Sequence, residues 1–213
     1  PMMIGSTIGE FLNHETKKNK WEMSVAEQEQ VVLDKYGEEN GRKLLALFRK
    51  AYPDKNVSYA AFIDNLVRPG TVQYARKKSQ GEHAPIYVYL LASVYQFETG
   101  MPAWHNSDIP YVFGNADRIQ YCCATKNWEA LSELMPATFS AFAHNGNPNL
   151  EALPAWHAAD ENHVPTMVFD ETIEEKKDFD DEMIAFIDSL TPPICFGFHK
   201  PRTEDVEGHE WTY

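Results

Sequence analysis

Two short segments of this 213-residue chain hold the side chains best suited to moving a proton. The first is Trp104-His105-Asn106-Ser107-Asp108-Ile109-Pro110-Tyr111-Val112-Phe113-Gly114-Asn115, which sets a histidine just past a strand-like stretch, before an acid and a tight aromatic turn. Imidazole changes charge near neutral pH, so His105 is a candidate general base. Such a base needs a fixed carboxylate on Nδ1–H, which sets the tautomer and stabilises the imidazolium. Asp108, three residues on, is one candidate. The second segment, Ile4-Gly5-Ser6-Thr7-Ile8-Gly9-Glu10-Phe11, carries Glu10 far upstream, and two adjacent strand ends can bring such distant residues together. Taken singly, Glu10 reads as a solvated loop acid and His105 as a hydrogen-bonded core histidine.

A base of this kind also needs a hydroxyl to deprotonate. A nucleophile elbow G-x-S-x-G holds its serine on a strained turn between strand and helix. The one stretch of comparable shape, Gly5-Ser6-Thr7-Ile8-Gly9, has threonine at its centre and no helical pattern directly after it, so it reads as a decoy. No H-G-G-G-like oxyanion loop occurs. Of the remaining histidines, His14, His83, His144, His157, His163, His199 and His209, none sits on a predicted helix with an acid at i, i+4, so no metal site is expected.

The segment around His105 resembles the histidine loop H-x-x-[DE]-[ILV]-P-[YF]-[VL]-F-G of the type-B carboxylesterases. That α/β-hydrolase family includes cholinesterases and bacterial p-nitrobenzyl esterases. Residues 4–10 are similar to its I-G-[ST]-T-x-x-E, and Asn145-Gly146-Asn147-Pro148-Asn149 to its T-G-N-P-N turn. Leu153-Pro154-Ala155-Trp156, Pro165-Thr166-Met167-Val168-Phe169-Asp170 and Asp178-Phe179-Asp180-Asp181-Glu182 extend the likeness. The resemblance implies that His105 is the base and Glu10 the triad acid. It implies a buried, structural acid at Asp108. Of the aromatic residues that flank His105, Trp104 is a candidate substrate contact, while Tyr111 and Phe113 read as packing beneath the loop. The pair, each in its own motif and in the family's order, reverses the bland reading of either residue. Gly9 stands where the family often has Asp or Asn, which predicts a looser loop around Glu10.

The family's order of serine, glutamate, histidine puts the nucleophile upstream of Glu10. The resemblance therefore implies the C-terminal portion of a serine carboxylesterase acting on small carboxylic esters, with no cofactor. Its partners would be the ester substrate and the missing N-terminal part of the same fold. Residues 1–190 would be this portion of the α/β-hydrolase domain, and 191–213 an extension that does not match. An alternative, from another class, is a non-catalytic adhesion or binding module of the same fold, or a truncated remnant.

The elements that must carry these residues are legible in outline. Met2-Met3-Ile4, ended by Gly5, suits a buried strand entered with no lead-in, a second reason to read the chain as the later part of a longer polypeptide. Ser24-Val25-Ala26-Glu27 is a capping box that starts a helix ended by Gly37. A second helix presents Leu44, Leu45, Leu47, Phe48 and Ala51 on one face. Ser58 suits the cap of a third helix to Leu66, and Pro69 the first turn of another to Lys78. The nearly continuous apolar run from Ile86 to Val94 fits a strand covered on both faces, as in a parallel sheet. A helix over 127–145 is expected to kink or restart at Pro136 and to end at Gly146. Thr166 to Phe169 is a short strand, and Asp178 caps a last helix with Phe179, Met183, Ile184 and Ile187 inward. The result is an α/β chain, the last strands of a sheet with several packed helices.

Composition narrows the partners. A net charge of −13 argues against nucleic acid and anionic membrane, since either needs clustered Lys and Arg. The one basic cluster, Arg76-Lys77-Lys78, reads as a solvated helix end, and no run has the apolar length to span a bilayer. Cys122, Cys123 and Cys195 form neither a disulfide framework nor a metal spacing, which leans towards a reducing, cytoplasmic compartment and otherwise leaves localisation open.

Overall fold

The computed structural model describes residues 1–11, 19–81, 84–96 and 100–191. The expected extension, from residue 192 on, lies outside the described residues, as do His14, His83, Cys195, His199 and His209. Three parallel strands form the centre: β1 (Met2–Thr7), β2 (Ile86–Leu91) and β5 (Pro165–Phe169), in the order β1-β2-β5. A fourth, β6 (Glu174–Lys177), returns antiparallel beside β5 as a hairpin that the sequence did not announce. β2 lies between two partners with every residue buried, which is why it reads as an unbroken apolar run. The run ends sooner than expected. Val94–Tyr95 (β3) leaves the main sheet to pair antiparallel with Met101–Pro102 (β4). β1 corrects the expectation of a buried strand: Met2 to Gly5 are only half-buried, because β1 pairs with β2 alone among the described residues.

Helices cover both faces. α1 (Val25–Ala51) opens with the expected capping box, Glu27 N–H on Ser24 Oγ at 3.3 Å and Ser24 N–H on Glu27 Oε2 at 2.9 Å. Gly37, at φ 76°, breaks it into two segments, and Leu44, Leu45, Phe48 and Ala51 are buried on the second. Ser58 does not cap a helix. Asn56 does, accepting from Ser58 N–H, and the element is a short 3₁₀ helix, Val57–Phe62. α2 (Val67–Lys78) is held at its start by the buried Asp64 carboxylate, which accepts from the N–H groups of Leu66, Val67 and Arg68. Asp64 in turn donates its own N–H to Ile8 O at 2.8 Å, so the cap is joined to the segment after β1.

α4 (Trp128–Asn145) runs through Pro136 as one element without the expected restart, and Gly146 ends it at φ 76°. Its Phe139 and Phe142 pack edge-on against Tyr89 and Tyr87 of β2. On the opposite face Ile86 and Val88 pack with Val72 and Ala75 of α2 and Ile184 of α5 (Asp181–Leu190). Asp178 is not the cap of α5; Asp180 occupies that position. Asp178, at φ 49°, accepts instead from Val164 N–H and pairs with His163.

Asp180 is buried and meets the guanidinium of Arg68 with two hydrogen bonds, at 2.8 and 3.1 Å, while Arg68 also donates to Thr166 Oγ1. Two buried charges persist only when paired in good geometry, and this pair locks α2 and α5 onto β5. No described helix is long and apolar enough to cross a membrane.

Candidate active site

The segments after β1 and before His105 are laced together by main-chain hydrogen bonds. Ile8 N–H donates to Leu91 O at 2.9 Å, Ala103 N–H to Ser93 O at 2.9 Å, Gly9 N–H to Ala103 O at 2.8 Å, and His105 N–H to Glu10 O at 3.0 Å. A Cβ at Gly9 would lie 2.8 Å from Ala103 O. Glycine is therefore what lets these two segments close, a correction to the expectation that it loosens the loop.

Glu10 is 6% exposed and takes φ 28°, a region that costs a non-glycine residue of order 1–3 kcal/mol and persists only when its surroundings over-determine it. They do. The Glu10 N–H donates to Thr7 Oγ1 at 3.1 Å, and Thr7 N–H donates to Glu10 Oε1 at 2.6 Å. With Oε1 so occupied, Oε2 meets His105 Nδ1 at 2.8 Å. A carboxylate only accepts, so this contact puts the proton on Nδ1 and leaves Nε2 as the acceptor nitrogen. The His105 side chain is 45% exposed, against 5% for that of Glu10. Among the described residues Nε2 has no hydrogen-bond partner. The arrangement is an oriented, accessible base backed by a buried carboxylate, able to take a proton from a donor on its open side.

Phe11 lies against the imidazole, ring centroids 4.1 Å apart with a 31° tilt. The turn after the base is tight. Ser107 N–H donates to Trp104 O, Ile109 N–H to Asn106 O, and Asn106 takes φ 69°, which asparagine tolerates better than most residues. Asp108 precedes the four-residue helix α3 (Ile109–Val112) and accepts from Tyr89 OH at 2.8 Å. It is half-buried rather than buried. Trp104 is half-buried and packs on Tyr95 and Tyr121, at 4.7 and 4.9 Å between centroids. Tyr111 is fully buried, its hydroxyl on Cys122 O, as expected of a packing residue. Phe113 is not one: it is 76% exposed.

Thr7, the centre of the apparent elbow, is buried with its oxygen accepting from Glu10, and Ser6 Oγ is buried without a partner. Sequence reasoning missed Thr7, Phe11 and Tyr89. The first was findable, since Thr7 and Glu10 have the same three-residue spacing as a capping box. Among the described residues no group of three or more His, Cys, Asp and Glu side chains could hold a metal ion.

Residues 2–187 match the model of the carboxylesterase family. The chain is 26% identical over 190 residues to the para-nitrobenzyl esterase of Bacillus subtilis (strain 168), covering 85% of this chain and 36% of that protein. It is 33% identical over 86 residues to pyrethroid hydrolase Ces2a of Mus musculus, covering 38% and 15%. An esterase from anaerobic Clostridium hathewayi, described as able to hydrolyse aliphatic aromatic polyesters, matches with TM-score 0.82 and 26% identity over 90% of this chain and 38% of its own. A PNB esterase structure matches with TM-score 0.55 and 23% identity over 88% and 38%, a likeness of fold alone. The fold is thus that of the α/β-hydrolase esterases. The chain spans no more than 38% of the length of these relatives.

Proposed function

The chain belongs to the carboxylesterase family, and from that premise we propose that it is the C-terminal portion of a serine carboxylesterase acting on small carboxylic esters. Glu10 is its acid and His105 its base. The observation that carries the reading is the 2.8 Å contact between Glu10 Oε2 and His105 Nδ1, made by a buried carboxylate on a half-exposed ring. The esterase relatives support the reaction class. The nucleophile serine and the oxyanion hole come from the preceding part of the fold.

The chemistry follows from the geometry. His105 Nε2 accepts the serine proton as the oxygen attacks the ester carbonyl, and Glu10 steadies the imidazolium that forms. The imidazolium returns that proton to the departing alkoxide, leaving an acyl-enzyme. Water then enters, gives its proton to Nε2, and adds to the acyl carbon. Return of the proton to the serine oxygen releases the carboxylic acid. Trp104, next to the base and half-buried, contacts the substrate.

The test compares the purified 213-residue chain with the complete polypeptide on a p-nitrophenyl ester. The complete protein should turn over and take one serine-directed phosphonate. The chain alone should do neither. Phosphonate labelling and turnover by the isolated chain would sink the assignment of the nucleophile to the preceding segment. A complete polypeptide that binds no phosphonate would favour a non-catalytic binding module.

A further inference from the structure

We propose that Tyr89 is a positioning residue for the base. Its hydroxyl holds Asp108, so that the turn carrying His105 stays seated on β2 and the charge of Asp108 stays off the imidazole. The proposal rests on the reading of Glu10 and His105 as acid and base.

Tyr89 stands opposite Gly5 in the parallel register of β1 and β2. A Cβ at Gly5 would come within 2.3 Å of the Tyr89 ring, so glycine there is what lets the ring lie across β1. Phe139 and Phe169 pack edge-on against the same ring, at 5.4 and 6.3 Å between centroids. The ring is thereby fixed by packing, and the hydroxyl is a separate device at its tip. It donates to Asp108 Oδ2 at 2.8 Å. Burial, and then the Asp108 carboxylate beside it, push the Tyr89 hydroxyl well above its usual range, so it remains a donor.

Asp108 is the other acid that the sequence offers to His105, in the same tight turn. Its main-chain oxygen accepts from Tyr111 and Val112 N–H, which fixes its backbone. Its side chain has rotamers to choose among, and a half-buried carboxylate without a donor is costly. The Tyr89 hydroxyl supplies that donor on the side of the sheet. Removing it frees a negative charge three residues from the base.

The test follows the His105 ring by NMR in the complete polypeptide, through its Cε1–H shift against pH and its ring ¹⁵N shifts. Tyr89→Phe keeps the packed ring and deletes the hydroxyl. The freed Asp108 charge stabilises the imidazolium, so the His105 midpoint should rise by about one pH unit, with the His157 and His163 titrations unmoved. Adding Asp108→Asn to Tyr89→Phe should return the midpoint to its original value. An unchanged midpoint in Tyr89→Phe, or a rise that Asp108→Asn does not reverse, overturns the proposal.

Should Tyr89→Phe fail to fold, Asp108→Asn alone still decides. It keeps an acceptor for Tyr89 and should leave the midpoint in place. A lowered midpoint would mean that the charge already acts on the ring, against the proposal. None of these readouts needs ester turnover, so a failed esterase assignment and a failed positioning role are told apart.

Discussion

Glu10 holds His105 twice, by its main-chain oxygen on the His105 N–H at 3.0 Å and by its carboxylate on Nδ1 at 2.8 Å. The first contact places the backbone of the base. The second selects its tautomer. The two can be separated by substitution, because only the second depends on the side chain.

If the complete polypeptide is the proposed esterase, Glu10→Gln should keep the fold and lower kcat by about three to four orders of magnitude, as an amide no longer steadies the imidazolium or fixes the tautomer. His105→Ala should cost about three orders or more. Steady-state kinetics and thermal melting of the same preparations check this. A His105→Ala protein that unfolds but retains specific activity when folded would make the histidine structural.

Thr7 supplies the acceptor that the strained Glu10 backbone needs. Thr7→Val leaves the Glu10 N–H buried without its partner and should lower stability by about 1–3 kcal/mol. Thr7→Ser restores the oxygen and should recover most of the loss. Urea denaturation of the three proteins reads it, and equal midpoints for Val and Ser would refute the hydroxyl's role.

Asp180→Ala strips the counter-charge from Arg68, whose side chain is 5% exposed. Breaking a buried pair on one side costs about 3–5 kcal/mol. The denaturation midpoint should fall accordingly, well beyond the effect of Lys50→Ala at the exposed pair with Glu182.

Stability should also depend on pH through Asp178. Burial works to raise this carboxyl, but the Val164 N–H, His163 and Arg76 outweigh it and hold it below the usual range. A depressed folded-state pKa contributes stability above the unfolded value of about 4, and that contribution is lost as pH falls through the folded one. Asp178→Asn should be less stable than the parent at pH 7 by about 1 kcal/mol. The gap should close as acidification carries the pH below the usual carboxylate range. Urea midpoints across pH would show it, and a gap constant with pH would contradict the linkage.

The strongest sequence signals were those in which local and tertiary preferences agree. The capping box at Ser24, the break at Gly37, the stop at Gly146 and the doubly covered β2 all have a single physical reading. The expectations that failed lie where neighbours compete. Asn56, two residues before Ser58, captured the N–H that a Ser58 cap would have left free. Asp178 was drawn to His163 and Val164 across the hairpin, leaving the helix start to Asp180. Phe113 looked like packing because aromatic residues usually are, and nothing local marks it as exposed. Glu10 and His105 were nameable from motif, but the contact between Tyr89 and Asp108 depends on a ring crossing a glycine on the next strand, which no spacing along the chain encodes.

The lacing of residues 8–10 to residues 103–105 has a consequence for how such a chain can change. Glu10 and His105 are registered to each other by main-chain bonds that close at the ends of β1 and β2. Among the described residues, the helical stretch between those strands is tied to that register by the main-chain hydrogen bond from Asp64 to Ile8. Lengthening or shortening α1 should therefore leave the spacing of Glu10 and His105 alone, so that the helical stretch can be reshaped without rebuilding the contact between them.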